Sequence, residues 1–370
     1  MSESYPSLHL QTAYNPYPRC VFLKLTPWTS ETSQGEFTLE LNCRFNEQEK
    51  SLLNGQVKFG VKRGQLKLTV NEAKIIELKS SGNAPLELVN SSDSFALWQL
   101  IPQIGQSILK ADNSWTLGKI EATNQPIFVT VTYTVSLSDI SITDVTGLWR
   151  HDINPNKHSI LERKLAQFLW QERLSPEISM IELTSDASVE GKRIESPTTN
   201  IEPQHLAQLH RLIDSIYNVK TNNLLELVQI AQLDPKQDLA GGNFVATELS
   251  GIELSGANLT QSNFRGANLT DADLSEAVLS YARLSGADLS GAYLGNTNLR
   301  QADFYRGSLA LANLIGADLR EANLQEVNLS QTNLSGAIVT GAKFGNNTGM
   351  TPEMKESLEE KGAIFLENVA

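Results

Sequence analysis

Cysteine is almost missing from this 370-residue chain: there are two, Cys20 and Cys43, and no CxxC spacing. That excludes a disulfide framework and a thiolate metal cluster, and leaves two reduced thiols. Histidine is nearly as scarce, with His9, His151, His158, His205 and His210. His205 and His210 are five apart and do not share a helix face, and no HExxH is present. There is no glycine-rich phosphate loop and no GxSxG. No apolar run approaches 18 residues, so no segment reads as a membrane-spanning helix. Basic charge is also short, with 30 Lys and Arg against 42 Asp and Glu, a net charge of −12 and a pI near 5.0. This argues against phosphate contacts to nucleic acid and against binding an anionic membrane. The opening MSESYPSLHL lacks the charged-then-apolar build of a secretory signal, which gives the expectation of a cytoplasmic protein. These absences predict no catalytic residue, no cofactor and no metal.

What the chain does have is a period of five. From Leu239 through Phe244, Leu249, Leu254 and Leu259 to Phe344, every fifth residue is Leu, Phe or Val, making 22 consecutive units. Two positions earlier the residue is usually small, with Ala at 13 of the 22 places, among them Ala257, Ala267 and Ala272. Asn or Asp recurs between the two, as in Asn258, Asp273 and Asp288. A short period held this long means stacked repeats. Five matches neither the 3.6 of an amphipathic helix nor the 2 of a straight strand. The small residue and the Leu are two apart and share a side, so a corner must follow before the next unit points inward again. Glycine recurs where that corner falls, for example at Gly251, Gly266 and Gly291, and tolerates positive φ. The chain is therefore expected to wind into a square tube with a dry Leu, Phe and Ala core. The central Phe residues, 244, 264, 304 and 344, are all separated by multiples of 20, an alignment of roughly 1 in 64 by chance on four faces. The reading is four units per coil, one face carrying a ring ladder, and 5.5 coils spanning roughly 26 Å.

Units such as Ala257-Asn258-Leu259-Thr260-Gln261 and Ala287-Asp288-Leu289-Ser290-Gly291 resemble the A(D/N)Lxx unit of pentapeptide-repeat proteins. The resemblance implies a right-handed quadrilateral β-helix over residues 237–346. The layout of helix, Asp234-Pro235, repeat and Gly362-Ala363-Ile364-Phe365 is similar to cyanobacterial members. It also implies action by binding proteins.

The rest of the chain divides as follows. Residues 1–18 read as a loose lead-in. Residues 19–183 read as an antiparallel β-sandwich or barrel-like domain ending in a helix. Its strands alternate, as in Phe37, Leu39, Leu41 and Cys43, and the longest alternating strand is expected at Ile127 to Val135. Leu161, Leu165 and Phe168 mark the helix, over about 157–173, expected to pack Trp170 against the β domain. Ile178 to Leu183 is a strand candidate, and 184–202 reads as an exposed linker. Helices over 204–217 and 223–232 form a helical N-cap at 203–236, with Asn222 or Asn223 as N-cap residue. A helix from Thr351 and a short extended piece make a C-terminal cap at 347–370.

The function predicted is a non-enzymatic protein-interaction scaffold or regulator. A protein partner is expected, and a homodimer is possible. Outward positions of the tube are mostly polar, and the exceptions gather in the middle coils: Val278, Tyr281, Tyr293, Tyr305, Leu311 and Ile315, with arginines nearby. Tyr281, Arg283, Arg300, Tyr305, Arg306 and Arg320 are predicted to converge on one edge as the partner-binding site. Two alternatives stand beside this. One, implied by the resemblance, is a DNA mimic modulating a type II topoisomerase. Eleven carboxylates and six cations on the tube, against about 15 phosphates on a duplex of that length, make a poor mimic. The other is an enzyme or ligand site in the β domain, where Trp149, Arg150, His151 and Asp152 form the densest polar-aromatic cluster.

Overall fold

The computed structural model describes residues 7–14, 20–29, 35–79, 86–101, 112–150, 152–174, 177–189, 191–194 and 201–366. Its contacts divide it into two compact units, one of residues 1–148 with 168–206, the other of 149–167 with 207–370.

The first unit is built of strands β1 (His9–Tyr14), β2 (Val21–Thr29), β3 (Glu36–Phe45), β4 (Gln48–Leu52), β5 (Gly55–Val61), β6 (Gly64–Asn71), β7 (Ala73–Leu78), β8 (Leu86–Ser91), β9 (Phe95–Leu100), β10 (Asp112–Ala122), β11 (Phe128–Thr134), β12 (Ile140–Thr146), β13 (Glu177–Thr184) and β14 (Lys192–Ile194). They form a seven-stranded sheet β14-β1-β13-β11-β6-β9-β8, a four-stranded sheet β2-β3-β10-β7 and a three-stranded sheet β12-β5-β4. All pairings are antiparallel except β1 with β14. Alternation follows the pleat: Val129, Val131 and Tyr133 of β11 are buried, as are Phe37, Leu39, Leu41 and Cys43 of β3.

Three expectations need correction here. The lead-in at 1–18 contains β1, paired with β13 from His9↔Thr184 to Tyr14↔Met180. The linker at 184–202 contains β14, which pairs with Thr12–Tyr14; residues 195–200 of that stretch lie outside the described residues. The longest alternating strand among the described residues is β3, with ten residues, rather than the one at 127–135, where β11 has seven; β10 is longer, with 11 residues, but does not alternate. Its buried residues Trp115, Leu117 and Ile120 break the two-residue period, because the register shifts between Thr116 and Gly118.

In the second unit the repeat forms parallel ladders. Each isolated bridge joins residues twenty apart, as in Asn263↔Arg283↔Asp303↔Asn323, so a coil is four five-residue units. The central residues and the small residues two before them are buried almost without exception. Phe244 and Phe264 stack with centroids 5.0 Å apart and planes 15° apart, one coil on the next. The residue two after each centre has positive φ in all 22 units, whether Gly, as at Gly251 (+63°), or not, as at Tyr281 (+60°). That single left-handed residue turns each corner.

Helices flank the repeat. α1 (Pro155–Leu169), expected as the helix that ends the β domain, gives polar side chains to the start of the repeat unit. Asn156 Nδ2 donates to the Asn222 and Glu248 carbonyls at 2.9 and 3.1 Å. Arg163, almost fully buried, donates from Nε to the Asp238 carbonyl. Trp170, just beyond α1, does reach the β unit, donating to the Val135 carbonyl at 3.2 Å. α2 (Pro203–Asn218) buries Leu209, Ile213 and Ile216. α3 (Leu224–Ile230) has Asn223 as its N-cap, accepting from the Glu226 amide. At the other end, α4 (Pro352–Glu360) is capped by Thr351. β15 (Lys343–Phe344) then pairs in parallel with β16 (Ile364–Phe365), and Phe365 stacks on Phe344 at 5.4 Å. The ring ladder thus continues past the last coil. No helix among the described residues is long and apolar enough to cross a membrane.

Candidate partner-binding surface

With a twenty-residue coil, each outward residue lies above the one twenty earlier. Arg283 belongs to the side whose centres are Phe244, Phe264, Leu284, Phe304, Leu324 and Phe344, the Phe face. Its ladder neighbours are Asn263 and Asp303. Tyr281, Arg300 and Arg320 fall at the corner that leads into this face, while Tyr305 and Arg306 fall at the corner that leaves it. The predicted set therefore brackets the Phe face at two corners instead of converging on one.

Three of the six side chains are held by acids. Tyr305 donates its hydroxyl to Glu326 Oε1 at 2.9 Å, and Arg306 donates from Nε to Glu326 Oε2 at 2.7 Å. The Arg306 guanidinium also lies 4.9 Å from the Tyr305 ring centroid. The hydrogen bonds from Arg306 and Tyr305 hold the Glu326 carboxyl below its usual pKa. Arg320 donates from Nε to Asp318 Oδ1 at 2.8 Å, and that contact lowers the Asp318 pKa. Such exposed pairs contribute little to stability.

Arg283 differs. Its guanidinium is partly buried, and its Nε has no hydrogen-bond partner among the described residues. Burial lowers its pKa first, the neighbouring Arg265 lowers it further, and Asp303 partly offsets both. Asp303 is itself buried and accepts from Ser285 Oγ at 2.6 Å and Asn323 Nδ2 at 2.9 Å. Arg265, absent from the predicted set, belongs with Arg283: the two are 18 apart in sequence but neighbours across one coil step. Arranging the sequence in rows of twenty would have found it.

The Trp149 cluster does not assemble a site among the described residues. Arg150 pairs with Asp152 at 2.6 Å on the surface, and Trp149 donates to His158 Nδ1 at 3.1 Å; His151 lies outside the described residues. No group of three or more His, Cys, Asp or Glu placed to hold a metal ion occurs among them. Both cysteines are free and buried, and burial pushes the Cys20 thiol up to about 12.

A family model for pentapeptide repeats matches in eight copies, over residues 243–280, 267–304, 282–319 and 312–346. No curated protein matches the chain. Among solved structures, the pentapeptide-repeat protein Rfr23 from the cyanobacterium Cyanothece 51142 is 26% identical, covers 29% of this chain and 90% of its own, and has a TM-score of 0.23. The pentapeptide-repeat protein alr5209 from Nostoc PCC 7120 is 33% identical, covers 34% of this chain and 84% of its own, and has a TM-score of 0.19. The family model's matches run in phase with the repeat from Leu239 to Phe344, and through residues 243–346 the chain belongs to the pentapeptide-repeat family.

Proposed function

We propose that the repeat is a rigid scaffold that binds a protein partner and performs no chemistry of its own. The partner meets the Phe face and its two corners, through Tyr281, Arg283, Arg300, Tyr305, Arg306 and Arg320, and presents carboxylates there. Arg283 carries this reading. A partly buried guanidinium with an unsatisfied Nε, beside a second guanidinium, gains a charge-assisted hydrogen bond when an acid arrives. The side chains inside the tube fill it, leaving the outer surface as the working part.

The repeat coils close as a right-handed quadrilateral β-helix, with the flanking helices and β16 as its caps. The twenty-residue bridges and the hydrogen bonds from Asn156 and Arg163 support that reading. The sheets of the first unit form a separate sandwich or barrel-like domain, and the protein works in the cytoplasm, where Cys20 and Cys43 stay reduced. The test is capture from native lysate with the full chain as bait. Arg283→Gln with Arg265→Gln should lose the captured protein at an unchanged melting temperature. Equal capture by this variant and the wild type overturns the reading.

A further inference from the structure

Half a coil from the Phe face lies the side centred on Leu254, Leu274, Leu294, Leu314 and Leu334. Its composition is different. All five tube arginines and Lys343 lie on the Phe face, at its corners or on the side before it; residues 251–256, 271–276, 291–296, 311–316 and 331–336 hold none. The Leu294 side instead carries Glu253, Asp271, Asp273 and Glu276, all in its first two coils. In the next two coils it exposes three large apolar side chains: Tyr293 at 55%, Leu311 at 62% and Ile315 at 45%. No other side of the repeat gathers more than one such residue among the described residues. A clustered exposed apolar patch of this kind marks an interaction surface.

The relief of the patch says what covers it. Tyr293 sits between Gly291 and Gly295 on its coil, and Leu311 and Ile315 stand directly above those two glycines on the next. Tyr293 itself lies under Asn313 in the ladder. Two protrusions on one coil therefore adjoin, on the coil before, an open hollow at Gly295 and a second one at Gly291 that the Asp271 carboxylate covers. A two-fold axis running across the face between these coils lays a second copy antiparallel on the first. Ile315 then enters the hollow over the partner's Gly295, Leu311 that over the partner's Gly291, and Tyr293 meets the partner's Asn313. The charges fit the same operation. Asp271, Asp273 and Glu276 face the partner's Gln331, Asn333 and Gly336, so none of these three carboxylates meets another. The Asp271 carboxylate, which now lies against Gly291, is on an exposed side chain and can turn to the partner's Gln331 amide.

The geometry points to this side as an isologous dimer interface between two copies of the chain, packed antiparallel across the coils 291–296 and 311–316. It is separate from the partner surface on the Phe face and does not rest on it. One side of a tube roughly 26 Å long buries less than the ~800 Å² per partner of a standard interface, so the dimer is weak.

Sedimentation equilibrium of the full chain, from about 1 to 200 μM, tests it by giving the dimer dissociation constant, expected in the micromolar range. Gly295→Lys fits the tube, since a Cβ there meets only the Ile315 carbonyl at 3.8 Å, but it fills the hollow; the dissociation constant should rise at least tenfold. Leu311→Asn should weaken the dimer similarly without lowering the melting temperature, because Leu311 has φ +61° and Asn accepts that backbone more readily. Asn333 gives a signed test opposite the partner's Asp273: Asn333→Lys should tighten the dimer several-fold in low salt, and Asn333→Asp should weaken it. A chain that stays monomeric to the highest concentration, leaving the patch for some other protein, overturns the inference. So does a dimer indifferent to Gly295→Lys and Leu311→Asn.

Discussion

Arg306 and Glu326 occupy the same corner of successive coils, joined by a 2.7 Å hydrogen bond, with the Tyr305 hydroxyl on the other carboxylate oxygen. The arrangement makes a pH statement. Glu326 titrates below its usual 4.5, chiefly because of Arg306. A depressed carboxylate adds stability above its unfolded pKa and loses it as pH falls through the folded value. Arg306→Ala should therefore move the Glu326 titration up toward 4.5, as followed by NMR of its side-chain carboxyl carbon. Because the pair is exposed, the melting temperature at neutral pH should barely change. An unmoved Glu326 titration would show that Arg306 is not its partner in solution.

Backbone strain at the corners can be isolated. Gly266 and Glu276 hold the same position in their units, with φ of +63° and +58°. A Cβ at Gly266 meets nothing within 4 Å, so Gly266→Ala tests the backbone alone. It should cost about 1 kcal/mol, the usual penalty for a left-handed residue with a side chain. Glu276→Asn should gain about 0.5 kcal/mol, because Asn tolerates that conformation. Urea unfolding of the repeat would measure both. Opposite signs are expected, and a stable Gly266→Ala chain would contradict the left-handed corner.

Most of the second unit was legible in the sequence because a repeat restates its geometry 22 times. The in-phase Phe244 and Phe264 announced a coil of twenty, and the glycines announced the corners. The first unit states each feature once. β14 is three residues, Lys192–Ile194, too short for alternation to show. β10 hides its period behind the shift at Gly118. The apolar spacing of α1 shows in the sequence, but its destination is set by Asn156 and Arg163, polar residues whose backbone-carbonyl partners leave no sequence pattern. The candidate surface was half legible: the unusual outward residues stood out, but the choice among them favoured tyrosine and arginine. The acids that occupy Arg306 and Arg320 are one coil away or two residues away, and only the fold brings them into contact.

His158 should titrate under two opposed influences. Its Nε2 lies 3.1 Å from Glu162, which raises its pKa, while burial lowers it. The Trp149 indole N–H on Nδ1 also favours the neutral ring, since a protonated Nδ1 cannot accept. A raised histidine pKa contributes stability in full below its unfolded value of 6.5, and that contribution is lost as pH rises through the folded value. Glu162→Gln should lower the His158 pKa, and Trp149→Phe should raise it further. Proton NMR of the imidazole Cε1–H reads both shifts, and equal values in the two variants would rule out this pairing.

The inward and outward positions of the repeat make the strongest contrast available within two residues. Leu279 is fully buried at the centre of its unit, with coils on both sides, and Ser280 is the next residue, pointing out. The Leu279 amide donates to the Asn298 carbonyl at 2.8 Å, and the Gln261 amide donates to the Ser280 carbonyl at 2.9 Å, so both backbones are held in ladders and neither site can swing. Leu279→Asp places a carboxylate among Leu259, Leu299 and Ala277, where nothing polar can meet it. The cost should be several kcal/mol, from lost apolar burial and from either an uncompensated charge or the protonation that avoids it. Ser280→Asp puts the same carboxylate in water beside Arg300 on the coil above and should change stability by less than about 0.5 kcal/mol. Acidification should narrow the difference, because protonated Asp is cheaper to bury than its anion. Thermal unfolding at neutral and acid pH measures all four values; similar melting temperatures for the two variants at neutral pH would mean that the side chain of Leu279 does not point into a dry core.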